Sequence, residues 1–423
     1  MIDRRHFLTA LGATTAAAAL PGCASLGASA RKAHVVVVGG GFGGASAAKY
    51  LRLWSDGRVR VTLVERNARF ISCPMSNLVI GGLQSMAHIT HDYAGLRDRH
   101  GVRLVHDSVT AIDTVAREVR LAGGERLHYD RLLLSPGIDF MTEAVEGLAG
   151  HEDRIPHAWK AGEQTLLLHR QLAAMPEGGV FAIHIPKAPF RCPPGPYERA
   201  SLVADYCLRH KPRAKVLVLD ANADIQSKKG LFLAAWKARY PNMIEYRPNN
   251  QLLSVDAATR TARLEFEDVK ADVLNVIPPQ RAGRVADLIG SHLANGRWVP
   301  VNWLTTEVAD MPNVHVIGDA ALPAPRMPKS GHMANQQAKV AAAAILQMLA
   351  DQPPNPAPMV MNTCYSFVGS DSAMHVASVH RFDAAENTFL PVEGAGGLSA
   401  VASPAEAAAA QAWARNIWAD TLG

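Results

Sequence analysis

The chain has 423 residues, 48% of them hydrophobic and 19% charged, with a formal net charge of +5. That length supports two or three domains with sizeable cores. No Lys/Arg run with interleaved aromatics occurs, which speaks against nucleic acid as a partner. The five cysteines, Cys23, Cys73, Cys192, Cys207 and Cys364, include no C-x-x-C pair and no Cys/His cluster at ligand spacing, so no metal site is expected.

The first segment reads as a targeting signal. Arg4-Arg5 lies in a twin-arginine pattern, Leu8–Leu20 is a short Ala-rich apolar stretch, and Ala28-Ser29-Ala30 is an A-x-A cleavage site. Residues 1–30 are therefore expected to be a signal peptide for twin-arginine export to the periplasm. Leu20-Pro21-Gly22-Cys23 also resembles a lipoprotein box, and anchoring at Cys23 is the alternative.

The next stretch carries the strongest chemistry. Val35–Val38 is an apolar run of the kind that forms a fully buried parallel strand. Gly39, Gly41 and Gly44 then give G-x-G-x-x-G, with Gly43 inside it. A helical segment, Ala45–Leu53, and a second strand, Val59–Val64, follow, ending in Glu65. In this arrangement the first Gly permits the turn, the second lets a pyrophosphate approach the backbone, and the third lets helix pack on strand. The phosphates would sit at the helix N-terminus, and an acid about 20 residues on takes the adenosine ribose.

Beyond Glu65 the chain predicts strands at Val102–His106, Val109–Ile112, Glu118–Leu121, Arg126–Tyr129 and 129–134, the middle ones as a hairpin around Gly123-Gly124. A helix over Trp159–Met175 leads to a strand at Val180–Ile185. A second glycine cradle would be expected next if this part held a nicotinamide cofactor. The loop instead reads Pro186-Lys187-Ala188-Pro189-Phe190-Arg191-Cys192-Pro193-Pro194-Gly195-Pro196. Prolines lack N–H donors and fix φ, so NAD(P)H is not expected to bind there. Further on are a helix over Glu198–Leu208, strands at Lys215–Leu219, Val273–Ile277 and Val314–Ile317, the pair Gly318-Asp319, and an Ala-rich helix over Gly331–Leu349. A Pro-rich linker at 353–358 precedes strands at Asn362–Val368 and Ala373–Val379 and a final helix, Pro404–Ala419.

Several strings together resemble the flavoprotein subunit of flavocytochrome c sulfide dehydrogenases, relatives of sulfide:quinone oxidoreductase with a glutathione-reductase-like fold. They are Val35–Gly44, Ser76–Gly82, Ala158–Thr165, Phe190–Ser201, Val276–Gly283, Val316–Ala320, Met327–Gly331 and Asn362–Ser366. The resemblance implies an α/β fold with two dinucleotide-binding-type (Rossmann-like) domains and a small α+β C-terminal domain. It divides the chain into a flavin domain at 31–150 and 276–350, a second nucleotide-binding-like domain at 151–275, and a C-terminal dimer or cytochrome-interface domain at 351–423.

It also implies the site. FAD would be held by Gly39, Gly41, Gly43, Gly44 and Glu65, joined covalently through Cys73, and contacted by Asp319, with Lys329 near the following helix adding positive field. Cys192 would be the catalytic thiol on the flavin's substrate side. In the resembled family it pairs with a second cysteine, at the fourth position of the run Gly318-Asp319-Ala320-Ala321, and here that residue is Ala321. The expected function is periplasmic oxidation of sulfide or another reduced sulfur species through FAD, with electrons passed to a c-type cytochrome subunit. The loss at Ala321 keeps two alternatives open: a non-sulfide donor, or a redox-relay subunit without its own catalysis.

Overall fold

In a computed structural model of the chain, residues 32–423 are described; the signal, the cleavage site and Cys23 lie outside the described residues. The first elements are β1 (His34–Val38), α1 (Phe42–Trp54), β2 (Arg60–Val64), α2 (Ser76–Ile80), β3 (Arg103–Val105) and β4 (Arg131–Leu134). The next are α3 (Glu163–Ala174), β5 (Val180–Ile185), α4 (Gly195–His210), β6 (Lys215–Asp220), α5 (Lys229–Arg239), β7 (Ile244–Arg247) and β8 (Val273–Val276). The chain continues with β9 (Glu307–Val308), β10 (Met311–Val316) and α6 (Gly331–Leu349). It closes with β11 (Met359–Phe367), β12 (Ala373–Asp383), β13 (Thr388–Leu398) and α7 (Pro404–Leu422).

Two sheets organise these elements, the first parallel except for its edge strand β9, which runs antiparallel to β10, and the second parallel throughout. The first has the order β9-β10-β4-β1-β2-β3, and the second β7-β6-β5-β8. All five residues of β1 are buried, as its unbroken apolar run requires when helices cover both faces. The first sheet is sewn from distant parts of the chain: β10 lies parallel to β4, with Val314 opposite Leu132. This return brings Gly318 and Asp319 beside the glycine turn that follows β1. Helix α1 can lie close on the sheet because Gly44 has no side chain; a Cβ there would stand 1.8 Å from the carbonyl oxygen of Gly39.

The structure shifts several expected boundaries. Helix α4 starts at Gly195 rather than Glu198, because Pro196 falls in the first turn, where a missing N–H costs nothing. Helix α3 starts at Glu163 rather than Trp159, behind an N-cap Gly162 at φ 150. Strand β13 was not expected; it carries Pro391 and Gly394, Gly396 and Gly397, which read as breakers, and it pairs with β12 through a register shift. The final helix does not stand apart. Ala410, Ala414, Ile417 and Trp418 of α7 share a core with α1, and Lys49 on α1 donates to the carbonyls of Ala419 and Asp420 at 3.2 and 2.9 Å.

Candidate functional site

A cleft of about 860 Å³ opens beyond the carboxyl ends of β1, β4 and β10, where open α/β sheets bind ligands. Its wall includes Gly41, Glu65, Cys73, Arg191, Asp319 and Gly331. The N-terminus of α1 faces it with no side-chain cap and no acid in the first turn, so its free N–H groups are open to an anion. A Cβ on Gly41 would meet no protein atom within 4 Å, so this side of the turn is empty space. Gly39, at φ 98, could not carry a side chain, since its Cβ would stand 2.4 Å from the carbonyl oxygen of Ser135. A Cβ on Gly43 would press on Ser135 Oγ at the same 2.4 Å. Glu65 is locked in place: its Oε2 accepts the N–H of Gly40 at 2.7 Å, and its Oε1 accepts the N–H and side-chain amide of Asn67 at 2.8 and 2.7 Å. Oε1 is thereby filled, and Oε2 keeps one lone pair for a ligand hydroxyl.

Cys73 is a free, partly exposed cysteine on the cleft wall. A tight turn presents it: Ser76 Oγ donates to the Cys73 carbonyl at 2.6 Å, and Met75 takes a left-handed backbone, φ 73, to start α2. Asp319 is 8% exposed, and its Oδ1 is buried without a hydrogen-bond partner. Burial pushes its carboxyl above the usual range, while Arg191 and Lys329 pull the other way. An orphaned oxygen on a cleft wall is a seat for a ligand hydroxyl.

Lys329 lies two residues before α6, as expected, but its ammonium does not line the large cleft. It donates to the carbonyls of Asp319 and Ala321 at 2.8 and 2.6 Å and sits 3.7 Å above the Trp298 ring. Burial pushes it down to about 7. It therefore pins the turn that carries Asp319. Cys192 is tied to the same place, its N–H donating to the Lys329 carbonyl at 2.8 Å. Its backbone is left-handed at φ 57, and burial raises its thiol well above the usual range.

Two further side chains on the cleft wall carry no motif of their own in the sequence. Arg191 reaches the cleft from the proline loop; burial works against its charge, but Cys73, Asp319 and Cys192 around it hold it protonated. Lys160, in the string Ala158–Thr165, pairs with Asp139 at 3.0 Å on the same wall. Among the described residues no group of three or more His, Cys, Asp or Glu side chains could hold a metal ion.

The residues present fit FAD: an uncapped helix end for the pyrophosphate, an oriented acid for the ribose, and an orphaned carboxylate oxygen further along the cleft. Fold and cleft thus define a flavoprotein with the architecture of the pyridine nucleotide-disulphide oxidoreductases, whose family description matches residues 33–171. Two narrower descriptions match the rest: the central part of the sulfide dehydrogenase (flavocytochrome c) flavoprotein chain over residues 165–278, and the flavin-binding part of flavocytochrome c sulphide dehydrogenase over 356–422. The twin-arginine translocation signal matches residues 1–21, which routes the chain to the periplasm.

The sulfide dehydrogenase flavoprotein chain of Chlorobaculum thiosulfatiphilum is 64% identical over 46 residues, 11% of this chain and 94% of that sequence. The mitochondrial sulfide:quinone oxidoreductase of Dictyostelium discoideum is 26% identical over 303 residues, 68% of this chain and 65% of that protein's length. The sulfide:quinone oxidoreductase structure from Aquifex aeolicus superposes with a TM-score of 0.76 at 19% identity, covering 92% of this chain and 91% of that one, which shows the shared fold. The chain belongs to the flavoprotein-chain family of flavocytochrome c sulfide dehydrogenases, and it is a flavoprotein oxidoreductase of the sulfide dehydrogenase type.

Proposed function

We propose that the chain oxidises sulfide or another reduced sulfur species at FAD and passes the electrons to a c-type cytochrome subunit. The observation that carries this reading is the proline loop, which sets Arg191 on the cleft wall beside Cys73 and Asp319 and holds the thiol of Cys192 next in the chain. FAD, when bound, supplies acceptance of an electron pair and release of electrons singly, as a haem acceptor requires. With FAD bound, the turn of Gly39, Gly41, Gly43 and Gly44 would seat its pyrophosphate, Glu65 would take the ribose, Asp319 would take a hydroxyl of the ribityl chain, and Cys73 would hold the ring system through a thioether. Lys329 acts through the turn it pins, and Cys192 meets the sulfur donor.

Residues 31–150 and 276–350 make up the flavin domain in this reading, and 151–275 the second domain. That second domain offers NAD(P)H a poor seat: α4 carries Pro196 and the acid Glu198 in its first turn, where α1 carries neither. In the C-terminal part, 351–423, the sheet rather than α7 faces the cytochrome, since Met359 and Met361 are exposed while α7 packs on α1.

The test is steady-state reduction of a c-type cytochrome by the purified, FAD-loaded chain with a panel of small donors. Sulfide or another reduced sulfur compound should support turnover; reduction by none of them would overturn the reading. Ala321 favours a second reading, in which flavin and cytochrome stay and the donor is not sulfide, or the subunit only relays electrons. Turnover with a non-sulfur donor alone, or with no small donor, would establish it.

A further inference from the structure

Cys73 and Arg191 reach the cleft from separate segments, and a buried clasp fixes the two segments against each other. Asn77, one turn past Cys73 and 8% exposed, donates from its side-chain amide to the Gly195 carbonyl at 3.2 Å and to Glu198 Oε2 at 2.8 Å. Its oxygen accepts from Arg199 Nε at 3.0 Å. Arg199, 1% exposed, directs its other N–H groups to the carbonyls of His157 and Ala158 at 2.8 and 2.6 Å and to Asn275 Oδ1 at 2.9 Å. Helix α2, which follows Cys73, is thus tied to helix α4, which follows the proline loop. The turn before α2 is held as tightly: the Cys73 carbonyl accepts both the N–H and Oγ of Ser76, at 3.0 and 2.6 Å. Met75 between them is left-handed at φ 73, and strain of this kind collects at functional sites.

Arg191 is anchored at both ends. Its N–H donates to Gln280 Oε1 at 2.9 Å, its carbonyl accepts from Trp159 Nε1 at 3.2 Å, and the Trp159 carbonyl takes one guanidinium N–H. Trp159 in turn stacks on Arg199, whose guanidinium lies 4.8 Å from the ring centroid. A guanidinium has five N–H donors in one plane, so this anchoring leaves donors for the cleft. The Cys73 side chain takes a hydrogen bond from it and leads the groups that favour its charge, ahead of Asp319 and Cys192. Lys160 and Lys329 are engaged elsewhere, the first with Asp139 at 3.0 Å and the second with two carbonyls. The thiolate, not the thiol, is the nucleophile, and an adjacent arginine favours it.

We propose that Arg191 is the catalytic cation for attachment of FAD at Cys73: it holds the cysteine sulfur as an anion and aims it at a methyl carbon of the flavin's benzenoid ring. The proposal rests on the reading of Cys73 as the point of attachment. In this step the S–H bond and one methyl C–H bond break and a C–S bond forms. Both protons are released, and the electron pair remains on the flavin, leaving it reduced. Dioxygen then takes that pair with two protons as hydrogen peroxide, and the linked flavin is oxidised again.

The test follows attachment in the full mature chain prepared free of FAD. At saturating FAD, wild type should come to retain flavin through acid precipitation, and Arg191→Gln should lower the rate constant about tenfold or more, with Arg191→Lys restoring part of it. Arg191→Met carries the same expectation if Arg191→Gln fails to fold. Without dioxygen, each link should bleach one flavin, and readmitted dioxygen should give one hydrogen peroxide per link. Before FAD is added, iodoacetamide should alkylate Cys73 faster in wild type than in Arg191→Gln, read by peptide mapping. An unchanged rate constant in the variants, a loss confined to the FAD concentration that half-saturates attachment, or equal alkylation of Cys73 would overturn the role of Arg191 and leave the thioether standing. A wild-type chain that binds FAD and never retains it through acid would overturn both.

Discussion

Two alanine substitutions, three residues apart in one turn, separate the roles of its glycines. A Cβ at Gly44 would lie 1.8 Å from the Gly39 carbonyl oxygen, so α1 must retreat from β1 by about 1.2 Å to reach 3.0 Å. Forcing extra volume into a packed contact of this kind costs about 1–3 kcal/mol. Gly44→Ala should therefore lower the unfolding temperature of the FAD-free chain by several degrees. Gly41 differs. Its φ of −71 suits alanine, its Cβ would meet no protein atom, and such a replacement typically stabilises by about 0.4–1 kcal/mol. Its methyl would nevertheless occupy the space where the pyrophosphate closes on the backbone. Gly41→Ala should leave the FAD-free chain as stable as wild type or slightly more so, and weaken FAD binding about tenfold or more, ~1.4 kcal/mol. The assay is thermal unfolding of both FAD-free variants together with calorimetric FAD titration, in a Cys73→Ser background so that binding is reversible. Wild-type affinity in Gly41→Ala, or wild-type stability in Gly44→Ala, would refute the reasoning.

Three further outcomes are expected. Acid denaturation should leave FAD on the chain, with mass spectrometry locating it on the peptide of Cys73, and Cys73→Ser should release it; full recovery of FAD from wild type in the supernatant would refute the thioether. NADH and NADPH should fail to bleach the flavin, because the loop after β5 is clamped by Pro186, Pro189, Pro193 and Pro194; rapid bleaching under anaerobic conditions would show that a seat exists. Burial holds Lys329 at about 7 in the folded chain against an ordinary 10.5. The unfolded chain thus binds more protons between those values, and the FAD-free protein should gain stability as pH rises across that window, by up to about 5 kcal/mol. Lys329→Met should flatten this rise, measured by denaturant titration at pH 6, 8 and 9; an unchanged slope would contradict the buried ammonium.

Local signals sufficed where one segment determines its own structure. The run Val35–Val38 and the glycines after it announce strand, turn and helix, and α6 ran over Gly331–Leu349 as read, capped by Ser330, whose side chain accepts from the Met333 N–H. The linked strings also pointed to Cys73, Asp319 and the proline loop, and the structure brings the first two to one cleft with Arg191. Lys329 was placed correctly along the chain, but not the direction of its ammonium, which depends on Trp298 and two carbonyls from another segment. The surroundings of Cys192 were illegible for the same reason. Cys364 and Lys228 approach it from β11 and from the residue before α5, and no periodicity within either segment records that meeting. Strand β13 was hidden by its glycines, which a register shift in the sheet accommodates.

The central claim is that reduced sulfur delivers electrons to this flavin and a c-type cytochrome removes them. Anaerobic stopped-flow mixing of the FAD-loaded chain with sulfide, followed by a c-type cytochrome, tests it most directly. The account predicts bleaching of the flavin band by sulfide, then recovery of that band in step with two cytochromes reduced per flavin, since a flavin holds an electron pair and a haem takes one electron. A flavin that sulfide leaves oxidised, or one that sulfide bleaches but the cytochrome does not reoxidise, would contradict it.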